Sequence, residues 1–424
     1  MARPARVVRA EDYSFRLRDG LLGAQMLCVA FGSLVLVPLL TGLNANVALF
    51  TAGVGTLVFQ VVTRGRVPVF LASSFAFIAP IIYGVQTWGV PATLGGLMAA
   101  GCVYLVISAL IAWRGVGLIL RVLPPIVTGP VIMVIGLILA PVAVNLATGH
   151  DSAGDAQLVA QGPAMIVAFV ALSVTLIVSL FGRGFVALLP ILCGVTAGYM
   201  TAVGFGMVDL SAVAAAPWVA MPDFVAPAFN WQAVLFMLPV AIAPAIEHFG
   251  DIIAIRSVTG RDYLKDPGIH RTMLGDGLAT TLAASLGGPP NTTYSEVTGA
   301  VTLTGATNPA LMTWAALFAI LFSFVGKLGA LLATIPTPVM GGIIILLFGA
   351  IIVVGMNSLV QSGEDLTESR NLAVVGLILV CGIGGLHFEL GQFKLEGIAM
   401  AGVLGVVLNL ILPRPAKSDQ SDTD

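Results

Sequence analysis

The chain has 424 residues, 58% of them hydrophobic and only 9% charged, with a formal net charge of −2. A soluble domain usually carries about 25% charged residues, so this composition excludes a soluble fold, whose core would outgrow its surface. There is no basic tract or aromatic-plus-basic module, which excludes a nucleic-acid partner. Cys28, Cys102, Cys193 and Cys381 stand singly in apolar segments. That spacing suits neither a metal site nor a disulfide framework, and no cofactor is expected.

The first 19 residues are polar and include Arg3, Arg6, Arg9, Arg16 and Arg18. The apolar run after them is too long for a signal-peptide core and reads as a first span. Reading apolar runs between breaks predicts spans over 21–41, 46–63, 68–86, 92–113, 124–147, 163–181, 184–205, 231–256, 272–287, 289–304, 309–331, 336–355, 371–387 and 395–412. The expected fold class is therefore an all-α polytopic membrane protein with 14 transmembrane segments. With the N-terminus inside, 17 of the 19 Lys and Arg residues fall on the cytoplasmic side, and only Lys327 and Lys394 fall outside. The loops 148–162 and 206–230 carry acids and no base, and read as external.

The halves resemble one another. Pro125-x3-Gly129-x6-Gly136 recurs as Pro338-x3-Gly342-x6-Gly349, each in an apolar run after a proline. An odd number of spans separates them, so the copies point in opposite directions, the 7+7 inverted-repeat plan of many secondary transporters. Two interrupted segments, Pro68–Pro80 and Gly287–Gly299, occupy comparable places. Each begins with proline and strand-favouring residues and then reaches small polar ones. Each predicts a short extended stretch followed by a half-helix starting near mid-membrane, where such backbone is tolerated only along a protein cavity. The half-helix starts would aim free N–H groups at a ligand. The alternative is two proline-kinked spans.

Four acids fall inside spans: Glu247, Asp251, Asp276 and Glu296. A charged carboxylate at mid-membrane costs about 2.5–3.5 kcal/mol, so each needs a partner, a wet cavity or a proton. Glu247 and Asp251 are four apart and share a helix face. Two such neighbours do not both ionise readily, which marks them for proton coupling. His248 points about 100° away; it is counted with the proton group, with simple packing as the alternative. For Asp251 the alternative is an ion pair with Arg256. Glu296 opens the second half-helix, which favours its anion. Asp276, between two glycines, is expected to support a neighbouring broken segment. Carboxylates that accept from N–H, backbone amides that donate to C=O, and Phe75 to stack on a flat ring together suit a small, planar, polar solute.

These segments resemble the nucleobase–ascorbate transporter family, especially its bacterial uracil permeases. The resemblance covers nearly the whole chain and is carried by Ser73–Phe77, Glu247-His248, Asp266-Pro-Gly-Ile-His270-Arg271, Pro290-Asn-Thr-Thr-Tyr294 with Glu296, and Pro338-Val-Met-Gly-Gly342. It implies a core domain (20–115 and 231–333) and a gate domain (116–205 and 334–413). The 206–230 loop would be external, and the tails 1–19 and 414–424 cytoplasmic. It implies substrate between the two domains, a homodimer, and a place in the bacterial inner membrane among lipid. By position Glu247 and Glu296 match the carboxylates that hold the base. Phe75 and Ser295 match positions whose amides face it, and Tyr294, Ser33 and Phe348 match pocket-lining positions. Asn291 and Thr304 match supporting motif positions.

Three residues depart from that pattern. Asp251 stands where the uracil branch often has His, Val297 replaces a motif Asn, and Ser295 replaces a frequent Gly. The acid at Glu296 favours uracil over xanthine, because the purine branch usually has Gln there. The expectation is a proton-coupled uracil importer working by alternating access. A purine or sodium-coupled carrier, and an anion carrier or channel of the same architecture, are its rivals. An enzyme is not expected, since no nucleophile–base pair is evident.

Overall fold

The computed structural model describes residues 11–115, 117, 121–390 and 393–413. Arg3, Arg6, Arg9, Arg414 and Lys417, which contribute to the predicted sidedness, lie outside them, as does most of each expected tail.

The first half runs through α1 (Gly20–Thr41), α2 (Ala45–Val62), strand β1 (Leu71–Ser73), α3 (Ile78–Trp88) and α4 (Val90–Arg114). It continues with α5 (Pro125–Ala147), α6 (Gln161–Phe181), α7 (Pro190–Gly204) and the short α8 (Ser211–Ala215). The second half contains α9 (Trp231–Val240), α10 (Ile242–Thr259), α11 (Ile269–Ser285), β2 (Asn291–Thr293), α12 (Ser295–Thr304), α13 (Ala310–Ser323) and α14 (Gly326–Ala333). It ends with α15 (Thr337–Ser362), α16 (Ser369–Ile383), the hairpin β3 (Phe388–Leu390) and β4 (Phe393–Leu395), and α17 (Gly397–Ile411). Among the described residues, seven helical stretches are long and apolar enough to cross a membrane, and shorter apolar helices lie between them. The chain is a multi-pass membrane protein.

Two expected spans are interrupted. The 231–256 span breaks at Ala241, between Pro239 in α9 and Pro244 in α10, because proline removes a helix hydrogen bond and clashes with the preceding turn. The 309–331 span breaks at Phe324–Val325. There the 206–230 loop takes over the backbone: Ala220 N–H donates to Phe324 O at 2.9 Å and Gly326 N–H to Trp218 O at 3.2 Å. Lys327, one of two bases placed outside by sequence, donates from Nζ to Val213 O at 2.9 Å, at the carbonyl end of α8.

Bases expected to share the other side meet there. Arg66 pairs with Asp266, Arg261 reaches Asp12 at 3.2 Å and Asp266 at 3.7 Å, and Arg256 reaches Asp262 at 3.4 Å. The described end of the expected N-terminal tail is packed rather than free: Phe15 stacks on Trp314 at 4.6 Å, and Ser14 bonds Asn308.

Buried apolar residues form two clusters. One draws mainly on α1, α2, α4 and α9–α13, and the other on α5–α7 and α15–α17. Leu36 and Val37 of α1, Ala76 just before α3, and Ile78 of α3 also belong to the second. The repeat glycines explain one close helix crossing. A Cβ at Gly136 would stand 2.7 Å from Phe348 O, and one at Gly129 would stand 2.8 Å from Gly355 O, so α5 and α15 touch backbone to backbone. Small residues permit such an approach between membrane helices.

Candidate functional site

The site is built on the two interrupted segments. β1 and β2 pair antiparallel, with Leu71 opposite Thr293 and Ser73 opposite Asn291. A two-stranded pair deep in an apolar bundle leaves outer backbone groups without partners, and neighbouring helices supply them. Thr56 Oγ1 accepts from Leu71 N–H at 2.9 Å and donates to Leu71 O at 3.2 Å. Thr280 Oγ1 donates to Asn291 O at 2.6 Å, and Asn291 Nδ2 donates to Thr51 O at 2.9 Å. Asn291 is thus a support of the strand pair. After each strand the chain turns helical, at Phe75 and at Ser295. The alternative of two proline-kinked spans is not what forms.

The carboxylates gather around the start of α12. Asp251 is 6% exposed; its Oδ2 accepts from Thr293 Oγ1 at 2.5 Å and its Oδ1 from Ser295 Oγ at 2.6 Å. It does not pair with Arg256, whose partner is Asp262: two hydroxyls at mid-helix hold it instead. Glu296 accepts from the buried Ser33 Oγ at 3.1 Å. Ser33 therefore orients a carboxylate. Glu247 is half-buried and has no hydrogen bond or ion pair among the described residues. Among the described residues it is the one acid of the four with no polar side chain recorded against its carboxylate.

Behind these lies a second layer. His248 is fully buried, with Nε2 3.0 Å from Thr272 Oγ1 and Nδ1 3.2 Å from Asp276 Oδ2. The latter contact is close but not aligned as a hydrogen bond, and both Asp276 oxygens lack a hydrogen-bond donor. Asp276 is also fully buried.

The aromatic residues divide. Phe75 is half-buried and its ring lies 6.4 Å from that of Tyr294 at an interplanar angle of 12°. Tyr294 is 3% exposed, and its hydroxyl donates to Ser73 O at 2.8 Å, tying one half-helix start to the other strand. Phe348 is buried in the second apolar cluster. Thr304 donates to Ala300 O at 2.7 Å at the exposed end of α12, where it closes the helix rather than reaching the acids.

Sequence reasoning missed Thr56, Thr280 and Thr272. Their signal was an isolated hydroxyl in an apolar run, which also serves as a helix back-bond and so is not selective. It also missed Tyr104, a buried phenol on α4.

A permease-family model matches residues 20–390, most of the chain. The chain belongs to this family, the nucleobase–ascorbate transporters. It is 53% identical over 405 residues to a probable uracil permease of Haemophilus influenzae, covering 96% of each chain. It is 44% identical over 407 residues to the uracil permease of Bacillus caldolyticus, covering 94% of this chain and 93% of that one. Among solved structures, the transmembrane domain of a cyanobacterial bicarbonate transporter superposes with a TM-score of 0.64 at 15% identity, covering 96% of this chain and 99% of that one. At that identity the likeness concerns the fold alone. The permease is a transporter by family, and its acidic centre has an acceptor-and-donor arrangement suited to holding a solute.

Proposed function

We propose that this permease is a proton-coupled importer of uracil in the bacterial inner membrane, with both termini cytoplasmic. The observation that carries the reading is that Glu247, a carboxylate without a hydrogen bond among the described residues, stands on α10, and Glu296 stands in the first turn of α12, which packs against α10. The N–H groups of that turn have no intrahelical acceptor. Two carboxylate acceptors beside free amide donors complement the alternating N–H and C=O groups of a pyrimidinedione. The relatives named as uracil permeases support this base.

The 14-span, 7+7 inverted plan is part of the proposal, as is its division into a core (20–115 and 231–333) and a gate (116–205 and 334–413). Two separately composed apolar clusters support that division. Alternating access is then motion of one cluster against the other, with Phe75 and Phe348 at the gate side of the base. Glu247 and Asp251, backed by His248, carry the proton. Lipid covers the exposed apolar side chains such as Phe169, Leu180 and Val353, and a second copy completes a homodimer.

An anion carrier on this architecture would place a positive or neutral pocket where Glu247 and Glu296 stand. Uptake of labelled uracil into proteoliposomes, with a pH gradient or a sodium gradient and with xanthine as competitor, tests the reading. Uptake driven by sodium alone, or preference for xanthine, would replace it.

A further inference from the structure

Several buried polar groups near the carboxylates lack hydrogen-bond partners among the described residues, His248 Nδ1 among them, and two lie on helices that pack together: both oxygens of Asp276 and the Tyr104 hydroxyl. Each residue is 0% exposed. Buried polar groups in native structures are nearly always satisfied, so orphans in one neighbourhood call for a common explanation. The chain brings these two together through helix packing. α4 and α11 lie against each other along much of their length. Gly277, next to Asp276, is the contact point: a Cβ there would stand 2.8 Å from Tyr104 Cβ. Asp276 also touches His248, which sits on α10 directly after Glu247.

Among the described residues, His248 Nδ1 stands 3.2 Å from Asp276 Oδ2 but is not aligned to donate to it. α2 and α9, packed on α11 and α4, carry no ionisable side chain. The one on α3, Tyr83, stacks on Phe236 at 4.9 Å. On α10 the ionisable groups of this region are Glu247, His248 and Asp251, the last held by Thr293 and Ser295. Glu296 on α12 is held by Ser33.

We propose that Tyr104 is a positioning residue of the acidic centre. Its O–H is the donor for the Asp276 carboxylate, directly or through one enclosed water, and it thereby fixes the His248 ring behind Glu247. A phenol suits this place because it carries one donor on a rigid apolar body, and an enclosed water needs at least two polar partners to be stable. Tyr104 touches neither substrate nor proton donor. It acts through Asp276 and His248.

The test is a double-mutant cycle on the full-length protein. Tyr104→Phe removes only the hydroxyl and Asp276→Asn keeps the shape of the acid. Thermal unfolding is expected to show each single variant destabilised and the double variant no worse than the weaker single, the signature of a shared interaction. Strictly additive shifts, or a Tyr104→Phe protein as stable as the parent, would overturn the proposal. A second readout separates positioning from packing and rests on the transport reading above: the pH dependence of uracil uptake by Tyr104→Phe is expected to be displaced from that of the parent. A coupled cycle with an unchanged pH profile makes Tyr104 a packing residue and also overturns it. If the parent moves no uracil at any pH, the transport reading fails, and the unfolding cycle still decides the role of Tyr104.

Discussion

Ser295 and Asp251 are joined by a 2.6 Å hydrogen bond that runs from the first turn of the α12 half-helix to the middle of α10. Thr293 adds a second bond to the same carboxylate from the strand below. Asp251 thus locks strand, half-helix and neighbouring helix into one unit. Hydrogen bonds to a charged group contribute about 1.5–3 kcal/mol. Asp251→Ala is expected to lower thermal stability markedly, and Ser295→Ala less, since Thr293 remains. Melting curves of the two variants check the order; a larger loss for Ser295→Ala contradicts it.

Glu247 and Glu296 differ in what holds them, and their variants should differ too. Glu247 has no hydrogen bond to lose among the described residues, so Glu247→Gln is expected to leave stability within about 0.5 kcal/mol of the parent. Base binding should nevertheless weaken by roughly 10- to 100-fold, the equivalent of a lost charged hydrogen bond. Ser33→Ala leaves Glu296 in place without its donor, and should raise the dissociation constant by a smaller factor. Binding isotherms alongside melting temperatures separate the two effects.

Tyr294 crosses from one interrupted segment to the carbonyl of Ser73 in the other. Tyr294→Phe keeps the ring beside Phe75 but leaves that carbonyl without its side-chain donor. The expected cost is about 1–3 kcal/mol. Thr56→Val removes both bonds to Leu71 and is expected to cost at least as much. If either variant melts with the parent, the strand pair does not depend on these staples.

Helical glycines near the site fall into two kinds. A Cβ at Gly136 would meet Phe348 O at 2.7 Å, whereas one at Gly250, a turn from Glu247, meets nothing within 4 Å. Gly136→Ala is therefore expected to destabilise by forcing α5 and α15 apart. Gly250→Ala should hold or raise stability, since Ala is favoured over Gly in a helix by about 1 kcal/mol. Gly250 is exposed one turn beyond a binding carboxylate, so uptake by Gly250→Ala should fall even though the fold does not suffer. Unimpaired uptake would show that the open space there has no part in transport.

Much of this arrangement was legible in the sequence because the membrane makes polar exceptions conspicuous. Four acids in apolar runs marked the centre, and the two proline-led interruptions marked the strands that carry it. Gly129 and Gly136 were visible as a repeat, although the backbone contact they allow between α5 and α15 was not. What escaped was partner choice. Asp251 lies near Arg256 in sequence, but Thr293 and Ser295, 42 and 44 residues away, bind it. The break at Phe324–Val325 depends on a loop about a hundred residues earlier, which no local hydropathy records. Tyr104 gave no signal of its own, because nothing in its segment reveals the acid on α11.

The central claim is that Glu247 and Glu296 hold a pyrimidine base whose movement is coupled to protons. Uptake of labelled uracil into proteoliposomes under an imposed pH gradient tests it most directly. Accumulation is expected with acid outside, collapsing when the gradient is dissipated and absent in Glu247→Gln and Glu296→Gln proteins that remain folded. Equal accumulation without a gradient, or undiminished uptake by either variant, would contradict it.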